Sequence, residues 1–452
     1  MPASMVVFTS DLRVRDHPAL VAACRADSVV PLFVVDEALI ESSERCANRM
    51  RFLVDSLTDL DASLRRLGGA LVVRRGDWVT EIARVAEAHR AKRVHLSAGV
   101  SGFAQARLLA LREAGARQQF DVIEHPGATV VPFGEVRAGS GTAYQVFTPF
   151  YRRWLATPWR PPLAVPRRVL LPDGVETGVV PALETLTGIA PSADLVAGGE
   201  TEGLARLRSW AATGLASYAE HHDAVGADAT SRCSPFLHFG CLSPLEVADR
   251  LRDRPGSESF VRQLCWRDFF AQLLAARPEL AREDLRNRGT PSGSADEAFD
   301  AWREGRTGYP LVDAGMRQLQ REGFMHNRVR MVVASFLTKD LDVPWQLGAR
   351  HFMELLADGD VASHQLNWQW VAGTGRDSNA HRVFNPTRQA ERFDPEGAYI
   401  RRYVTELADV PGDAIHDPPD SERDRCGYAH QLVDHSEAIA GYRARIAVKQ
   451  GE

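Results

Sequence analysis

The chain has 452 residues, enough for two domains of ordinary size, and its 44% hydrophobic and 25% charged residues are typical of a soluble globular protein. A net charge of −5 gives no overall sign of nucleic-acid binding, so a DNA-binding face would have to be a local patch. No segment approaches about eighteen uncharged apolar residues, and the N-terminus lacks a secretion signal, so we expect a cytoplasmic protein without a membrane span.

Six cysteines are scattered along the chain, and no two of them form a CxxC pair. They are Cys24, Cys46, Cys233, Cys241, Cys265 and Cys426. Zinc and iron–sulfur sites therefore have no support in the sequence, and a disulfide framework is not expected.

Residues 1–128 alternate short apolar runs, rich in β-branched residues, with amphipathic helical stretches. The apolar runs are residues 5–8, 29–35, 70–73 and 93–96, and helical patterns such as 48–67 and 80–89 separate them. Strands alternating with helices predict βαβ units and a doubly wound parallel sheet. The stretch has no GxGxxG motif, so nothing in it argues directly for a dinucleotide.

Residues 129–200 are punctuated by proline and glycine and have weak periodicity, which indicates an ordered linker crossing the surface. Within this linker, residues 144–151 (YQVFTPFY) are expected to pack rather than to take part in chemistry. Helical patterns dominate residues 201–452. The predicted fold is therefore an α/β N-terminal domain followed by a large all-α C-terminal domain.

Residues 230–235 (TSRCSP) are a candidate phosphate-binding loop. Small hydroxyl residues and backbone amides precede Pro235, where a helix could begin, and helix N-termini attract anions. The alternative is an ordinary N-cap, which such residues supply constantly. From this stretch alone the capping interpretation is the commoner one.

Residues 260–270 (FVRQLCWRDFF) predict a helix with Gln263, Trp266, Arg267 and Phe270 on one face. A tryptophan beside an arginine and an amide could stack on and hold a displaced nucleobase. The alternative is an amphipathic core helix with a surface arginine.

Residues 323–370 combine apolar residues at helical spacing, which predict two buried helices, with polar groups that a core does not need. The polar groups are Asn327, Arg328, Arg330, Asp358, Asp360 and His364, and Trp345, Trp368 and Trp370 accompany them. Because charged side chains are rarely buried unpaired, Arg330 and Asp358 are expected to form an internal pair. A helical core with a structural salt bridge is the alternative to a binding site.

The ordered string MHNRVRM, ASFLTKDL, DGDVAS and NWQW resembles the photolyase/cryptochrome flavoproteins, and is closest to the class I cyclobutane pyrimidine dimer photolyases. The resemblance continues through residues 382–407 and reaches the N-terminus, so it covers nearly the whole chain. It implies FAD in the helical domain and, in many relatives, a deazaflavin or folate antenna chromophore in the α/β domain. Relatives usually carry Trp-Phe-Arg-Arg where this chain has VFTS at residues 7–10, so the presence of an antenna stays open.

The resemblance implies a set of residues around FAD and a second set around an extruded DNA lesion. The implied FAD contacts are Tyr218, Thr230, Ser231, Arg232, Cys233, Ser234, Arg267, Asn327, Arg330, Asp358, Gly359, Asp360 and His364. The implied contacts to the lesion and its DNA backbone are Gln263, Trp266, Arg267, Asn327, Arg328, Met331, Trp370, Arg382 and Gln389. Asp360 would bind the flavin ring at N3–H, and Asn327 would bridge the adenine and the lesion.

Two departures from the pattern of the relatives bear directly on the reaction. Trp368 and Trp345 match the first two tryptophans of a photoreduction relay, but the third should fall near Ser292, where the chain has no aromatic residue, and Tyr399 or Tyr403 would have to substitute. His364 stands where relatives have an asparagine facing flavin N5, and imidazole changes charge near neutral pH. We therefore expect the spectrum of the bound flavin to depend on pH between about 5 and 8.

The implied function is light-driven repair of cyclobutane pyrimidine dimers in UV-damaged DNA by a monomeric enzyme, with Trp368, Trp345, Gln263, Asn327 and His364 as catalytic candidates. A (6-4) photolyase is one alternative, favoured by Gln263 where dimer photolyases usually have glutamate, but only His326 of its expected histidines is present. A cryptochrome-like blue-light photoreceptor is the other, favoured by His364 and the altered relay.

Overall fold

The computed structural model describes residues 3–42, 45–139, 141–286, 296–375 and 382–450. Within these ranges a five-stranded sheet forms near the N-terminus, and helices dominate after residue 200. The predicted combination of an α/β part with an all-α part is confirmed.

The sheet is parallel, with strand order β3-β2-β1-β4-β5. Its strands are β1 (Ser4–Phe8), β2 (Val29–Asp36), β3 (Val72–Gly76), β4 (Arg93–Ser97) and β5 (Asp121–His125). Strands β1 and β2 are buried along their whole length, because helices cover both faces, and this explains their unbroken apolar runs. The sequence prediction missed β5, whose residues are mostly polar and only partly buried because it lies at the edge of the sheet.

Five helices accompany the sheet: α1 (Pro18–Ala23), α2 (Glu37–Ile40), α3 (Ala47–Arg66), α4 (Trp78–Ala88) and α5 (Gly102–Gln118). Successive side chains of a strand point to opposite faces. Met5 and Val7 therefore join a core with α4 and α5, whereas Val6 and Phe8 join a core with α1 and α3. The second core continues into the helical part of the molecule, so the two parts share one hydrophobic interior.

The loop after β1 connects the sheet to the helical part. The guanidinium of Arg13 is buried and donates to the carbonyl oxygens of Gly127 at 3.0 Å and Gly240 at 2.9 Å. Gly240 has φ +64°, and a Cβ there would lie 2.1 Å from the Ser10 carbonyl oxygen, so only glycine allows this approach. Glu200 accepts from two backbone N–H groups of the same loop, and its burial raises its pKa to about 6.

The segment between the two parts contains one helix, α6 (Phe147–Ala156), and a short 3₁₀ turn (Leu183–Thr185). Phe147, Phe150 and Trp154 are the buried residues of α6. They pack against the helix that carries Trp266, so α6 is part of the core rather than a strap lying over it.

The helical part has fourteen α-helices within the described ranges. They are α7 (Glu200–Thr213), α8 (Tyr218–His221), α9 (Ser234–His238), α10 (Pro244–Leu251), α11 (Ser257–Ala276), α12 (Asp296–Glu304), α13 (Pro310–Glu322), α14 (Asn327–Ser335), α15 (Trp345–Leu355), α16 (Val361–Ala372), α17 (Pro386–Phe393), α18 (Ala398–Tyr403), α19 (Asp420–Cys426) and α20 (His435–Gln450). Short 3₁₀ turns occur at Val225–Ala227, Pro278–Ala281, Thr405–Leu407 and Gly412–His416, and a π turn at Phe336–Asp340 extends α14.

The two helices predicted in residues 323–370 are confirmed as α14 and α15, but the prediction missed a third helix, α16. Asp360 begins the third helix by accepting a hydrogen bond from the backbone N–H of Ser363 at 2.8 Å. Helix α16 carries apolar residues on all sides, so it lacks the one-sided stripe by which α14 and α15 were recognised. Over the described ranges, no helix is both long and apolar enough to cross a membrane.

Candidate functional site

A cavity of about 420 Å³ opens where α8, α9, α11, α14 and α16 meet. Most of the candidate site residues line it: Tyr218, Thr230, Ser231, Arg232, Cys233, Ser234, Gln263, Trp266, Arg267, Asn327, Arg328, Arg330, Met331, Asp358, Asp360, His364 and Trp368. Side chains from distant parts of the chain therefore meet at one cavity, as a ligand site requires. Their individual roles stay predictions.

Five candidates do not line the cavity in the described structure. Gly359 lies between the two aspartates, where a Cβ would come within 2.8 Å of the Arg49 guanidinium. Trp345 is buried and donates its Nε1–H to Asp284 at 2.8 Å. The other three, Trp370, Arg382 and Gln389, belong to the neighbouring surface. There the Arg382 guanidinium lies 5.5 Å from the centre of the Trp370 ring.

The expected internal pair of Arg330 and Asp358 is confirmed. One guanidinium nitrogen contacts both carboxylate oxygens, at 2.8 and 3.1 Å, and the Ser234 hydroxyl donates to the same carboxylate at 2.5 Å. Burial alone would raise the pKa of Asp358, but the charge and hydrogen bonds of Arg330 and the Ser234 hydroxyl hold that pKa below its ordinary value. A fixed carboxylate with a cation beside it is therefore presented at the cavity.

The candidate phosphate-binding loop leads into α9, which begins at Ser234 with Pro235 in its first turn. No side chain within the described ranges caps this helix start, so the capping interpretation is not supported. The Thr230 hydroxyl is buried on the cavity wall and has no hydrogen-bond partner among the described residues. Arg232 has φ +50°, and its guanidinium is paired with Asp228 and Glu322, each at 2.7 Å. The charge of Arg232 is thus neutralised by the protein itself.

The predicted polar face of α11 does point to the cavity. Gln263 is exposed, and Trp266 and Arg267 are half-buried. The Trp266 ring stacks in parallel on Phe147, with ring centres 3.5 Å apart. Arg267 donates to the backbone carbonyls of Ala128 and Leu237, so two of its N–H groups are already used.

Asp360 sits at the N-terminus of α16 and lines the same cavity. Burial would raise its pKa, but the charge of Arg267 and the Ser363 N–H hold that pKa below its ordinary value. The carboxylate therefore stays ionised and available as a hydrogen-bond acceptor.

The expectation that His364 changes charge near neutral pH is wrong. Its Nε2 lies 2.8 Å from the Ala349 carbonyl oxygen, and since a carbonyl can only accept, Nε2 carries the proton. Burial of the ring lowers the pKa of His364 to about 4. The imidazole is neutral between about pH 5 and 8, because the desolvation of a cation at this site outweighs the Ala349 carbonyl and the Asp358 carboxylate, which both favour the protonated form.

The two candidate relay tryptophans lie close together. Trp368 is buried, and its ring packs on Gly348, which lies one helical turn after Trp345. The approach is so close that a Cβ at Gly348 would come within 2.4 Å of the Trp368 ring. The position near Ser292 lies outside the described residues. Tyr399 and Tyr403 pack against each other in α18, with ring centres 4.9 Å apart and 60° between the planes, and both bond to side chains of α13.

Several cavity residues were missed by sequence reasoning. Asp223 pairs with Arg328 at 2.5 Å, and Phe393 covers the same guanidinium at 4.5 Å, so Arg328 is less free than expected. Nothing local in the sequence marks Asp223. His238 lies one turn after Ser234 on α9, a spacing that could have identified it, and desolvation lowers its pKa to about 4. Other missed lining residues are His222, Phe260, Phe324, Phe352 and Asn367.

A parallel α/β part joined to a helical part is also the fold of the photolyases and cryptochromes that superimpose on this chain. Residues 4–167 match the family model for DNA photolyase, and residues 260–448 match the model for the FAD binding domain of DNA photolyase. FAD is therefore the cofactor of the helical domain.

Relatives agree over the full length. The deoxyribodipyrimidine photo-lyase of Streptomyces griseus is 48% identical, over 98% of this chain and 99% of the relative. The deoxyribodipyrimidine photo-lyase of Escherichia coli is 32% identical, over 98% of this chain and 99% of the relative. A class III photolyase from Agrobacterium tumefaciens superimposes with a TM-score of 0.91 at 31% identity, covering 100% of this chain and 98% of its own. A Synechocystis cryptochrome gives 0.91 at 30% identity, covering 98% and 99%. The chain belongs to the DNA photolyase family.

Proposed function

We propose that the protein is a deoxyribodipyrimidine photolyase, which splits cyclobutane pyrimidine dimers in UV-damaged DNA with light. The observation that carries this proposal is that one cavity joins two different surfaces. One surface holds the ionised pair of Arg330 and Asp358, together with Asp360, and suits a flavin. The other is the Gln263–Trp266 face of α11, which suits an extruded base. A lesion and a flavin in this cavity would lie side by side.

The cavity residues fit FAD. The unpartnered Thr230 hydroxyl and the uncapped start of α9 supply hydrogen-bond donors for a diphosphate. Asp360 would offer its carboxylate to the ring N3–H, and the ion pair of Arg330 and Asp358 would hold a fixed charge pair beside the flavin ring. Asn327, at the start of α14, would bridge the adenine and the lesion.

FAD, when bound in its reduced form and excited by light, would lend the dimer an electron that returns to the flavin once both cyclobutane bonds have opened, so that no net oxidation occurs. The chain positions the dimer and excludes water. Photolyases are among the enzymes that extrude their target base, at a cost of a few kcal/mol in lost stacking. The Trp266 ring offsets part of this cost by stacking, Gln263 donates its amide N–H to a pyrimidine carbonyl, and Met331 contacts the dimer.

Binding to the DNA backbone would involve Arg328, Arg382 and Gln389. Contacts of this kind fix the register of the duplex without reading its sequence. Because Arg328 is paired with Asp223, its contact with a phosphate would compete with an internal carboxylate. We therefore expect affinity for undamaged DNA to be weak and to fall with added salt. We infer that the enzyme acts as a monomer in the cytoplasm.

The test is a repair assay on purified, chemically reduced protein, with an oligonucleotide carrying one cyclobutane dimer and a second carrying one (6-4) photoproduct. We expect a flavin spectrum and light-dependent repair of the first substrate. An additional strong band in the violet would reveal an antenna chromophore. Repair of the (6-4) substrate instead would establish the other enzyme. Damage binding without repair of either substrate would favour a cryptochrome-like receptor.

Trp266→Ala gives the corresponding site test. It should weaken binding to the dimer by roughly 1–3 kcal/mol, which is the value of one base stack, while FAD stays bound. Trp159→Ala is the matched control, because Trp159 is also half-buried but does not line the cavity in the described structure. Equal affinities in the two variants would reject the pocket assignment.

A further inference from the structure

Helix α6 of the linker forms a wall behind Trp266. The rings of Phe147 and Trp266 are parallel, with a 4° angle between their planes and 3.5 Å between their centres. Trp266 lines the cavity, whereas Phe147 does not line it in the described structure and is 6% exposed. One face of the indole is therefore covered by Phe147, and the Phe270 ring, which also lines the cavity, lies 5.4 Å from the indole with 32° between the planes.

Neighbouring side chains hold Phe147 from its other sides. The Tyr151 ring stacks on Phe147 at 5.7 Å, with 13° between the planes. Phe269 meets both Phe147 and Trp266 edge-on, at 5.8 and 5.7 Å. The Arg262 guanidinium lies 5.5 Å from the Phe147 ring and 5.3 Å from the Tyr151 ring. Parallel and edge-on contacts of this kind constrain the direction of a ring as well as burying it.

A buried carboxylate fastens α6 to α11. Asp268, two residues after Trp266, accepts the Trp154 Nε1–H at 2.9 Å and the backbone N–H groups of Val130 and Val131 at 3.0 and 3.1 Å. Burial of this carboxyl, which is 3% exposed, raises its pKa to about 6. Its hydrogen bonds, three to Oδ2 and a longer one of 3.3 Å from the Val130 N–H to Oδ1, hold these segments together. The position of α6 relative to α11, and with it the Phe147–Trp266 stack, is therefore fixed by the fold.

We propose that Phe147 is a positioning residue for damage recognition, which holds the plane of the Trp266 ring ready for the extruded pyrimidine. The inference rests on the proposed function and deepens it by giving the linker motif YQVFTPFY a role in that site. Without the Phe147 ring, the indole can rotate toward the vacated space, and the stacking surface must be ordered again each time a lesion binds. Preorganised surfaces bind more tightly because this ordering cost is already met.

The expected loss of affinity is specific to damaged DNA. Phe147→Leu keeps an apolar side chain but removes the flat ring, and it should weaken binding to a dimer-containing oligonucleotide about 2- to 10-fold, the range of one aromatic pair. Binding to the same oligonucleotide without the dimer should not change, since phosphate contacts dominate it. Phe147→Tyr, which keeps the ring, should retain the natural ratio of damaged to undamaged affinity.

The experiment measures the affinity of flavin-loaded protein for the oligonucleotide with the dimer and for the same oligonucleotide without it. The proteins compared are the natural chain, Phe147→Leu, Phe147→Tyr, Trp266→Ala and the double variant of Phe147→Leu with Trp266→Ala. The proposal expects Phe147→Leu to have no further effect once Trp266 is absent, because Phe147 acts through that ring. Phe150→Leu is the matched control. Phe150 is buried on the same helix and contacts Phe269 at 5.3 Å, and its loss should lower the unfolding temperature without changing the affinity ratio.

The proposal is overturned if Phe147→Leu leaves the ratio of damaged to undamaged affinity unchanged, or if it lowers the affinity for damaged DNA equally with and without Trp266. Either result leaves the proposed function intact. A natural chain that does not prefer damaged DNA overturns both. If Phe147→Leu does not accumulate as flavin-loaded protein, Phe147→Met, which is also apolar and lacks a flat ring, gives the same comparison.

Discussion

The buried pair of Arg330 and Asp358 makes a quantitative prediction about stability. In Arg330→Leu the Asp358 carboxylate stays buried and keeps only the hydrogen bond from Ser234. Removing one partner of a buried ion pair costs about 3–5 kcal/mol, because the remaining charge is uncompensated. Arg330 is itself 23% exposed on its side chain, so water can partly replace it, and we expect a loss of about 3 kcal/mol.

The loss should depend on pH in a definite direction. In the natural chain the pKa of Asp358 is below its ordinary value, so its contribution to stability is present above the unfolded pKa and is lost as pH falls through the folded pKa. In Arg330→Leu burial dominates and raises that pKa above the unfolded value, so protonation favours the folded state. The deficit relative to the natural chain should therefore be largest near about pH 8 and should shrink as the pH falls toward about 5.

Urea unfolding of the apoprotein at several pH values measures this deficit. Adding Asp358→Asn to Arg330→Leu removes the stranded charge and should restore part of the lost stability. Arg317→Leu is a matched control, since Arg317 also makes two contacts with a carboxylate, at 2.7 and 2.9 Å to Glu406, but that carboxylate is 30% exposed. Its loss should cost about 1 kcal/mol or less. Equal costs for the two arginines, or a deficit of Arg330→Leu that does not change with pH, would refute the reasoning.

Three further predictions concern the reaction. The pKa of His364 is lowered to about 4, so His364 should not titrate between about pH 5 and 8. Over this range the spectrum of the bound flavin should therefore show the same pH profile in the natural chain and in His364→Asn. A titration seen only in the natural chain would contradict this prediction. Gln263→Glu should raise the repair yield, because a protonated glutamate can donate a hydrogen bond and also release a proton, and a lower yield would count against this role. The sequence has no aromatic residue near Ser292 to complete the electron relay, so oxidised FAD should be photoreduced slowly. Trp345→Phe should change the rate of photoreduction little. Rapid accumulation of reduced flavin under blue light with a thiol would show that another relay exists.

Local patterns in the sequence were sufficient for four of the five strands and for many of the residues that line the cavity, but not for β5 or α16. The apolar runs of β1 and β2 predicted buried parallel strands, and the stretch TSRCSP predicted the helix that begins at Ser234. The pairing of Arg330 with Asp358 followed from the cost of burying either charge alone. These predictions succeeded because strand burial, helix starts and the need to pair a buried charge are properties of nearby residues or of the residue type itself.

What only the tertiary structure decided concerns the surroundings of each side chain. The neutral state of His364 depends on the burial of its ring, the restraint of Arg328 depends on Asp223 more than a hundred positions away, and the stacking surface of Trp266 depends on Phe147 from the linker. Desolvation, charge pairing and ring stacking act over a few ångströms in space, whereas sequence patterns report only on residues within a few turns of one another. The sequence by itself determined which groups could do the chemistry, and the packing of α6, α11 and α16 determined their charge and direction.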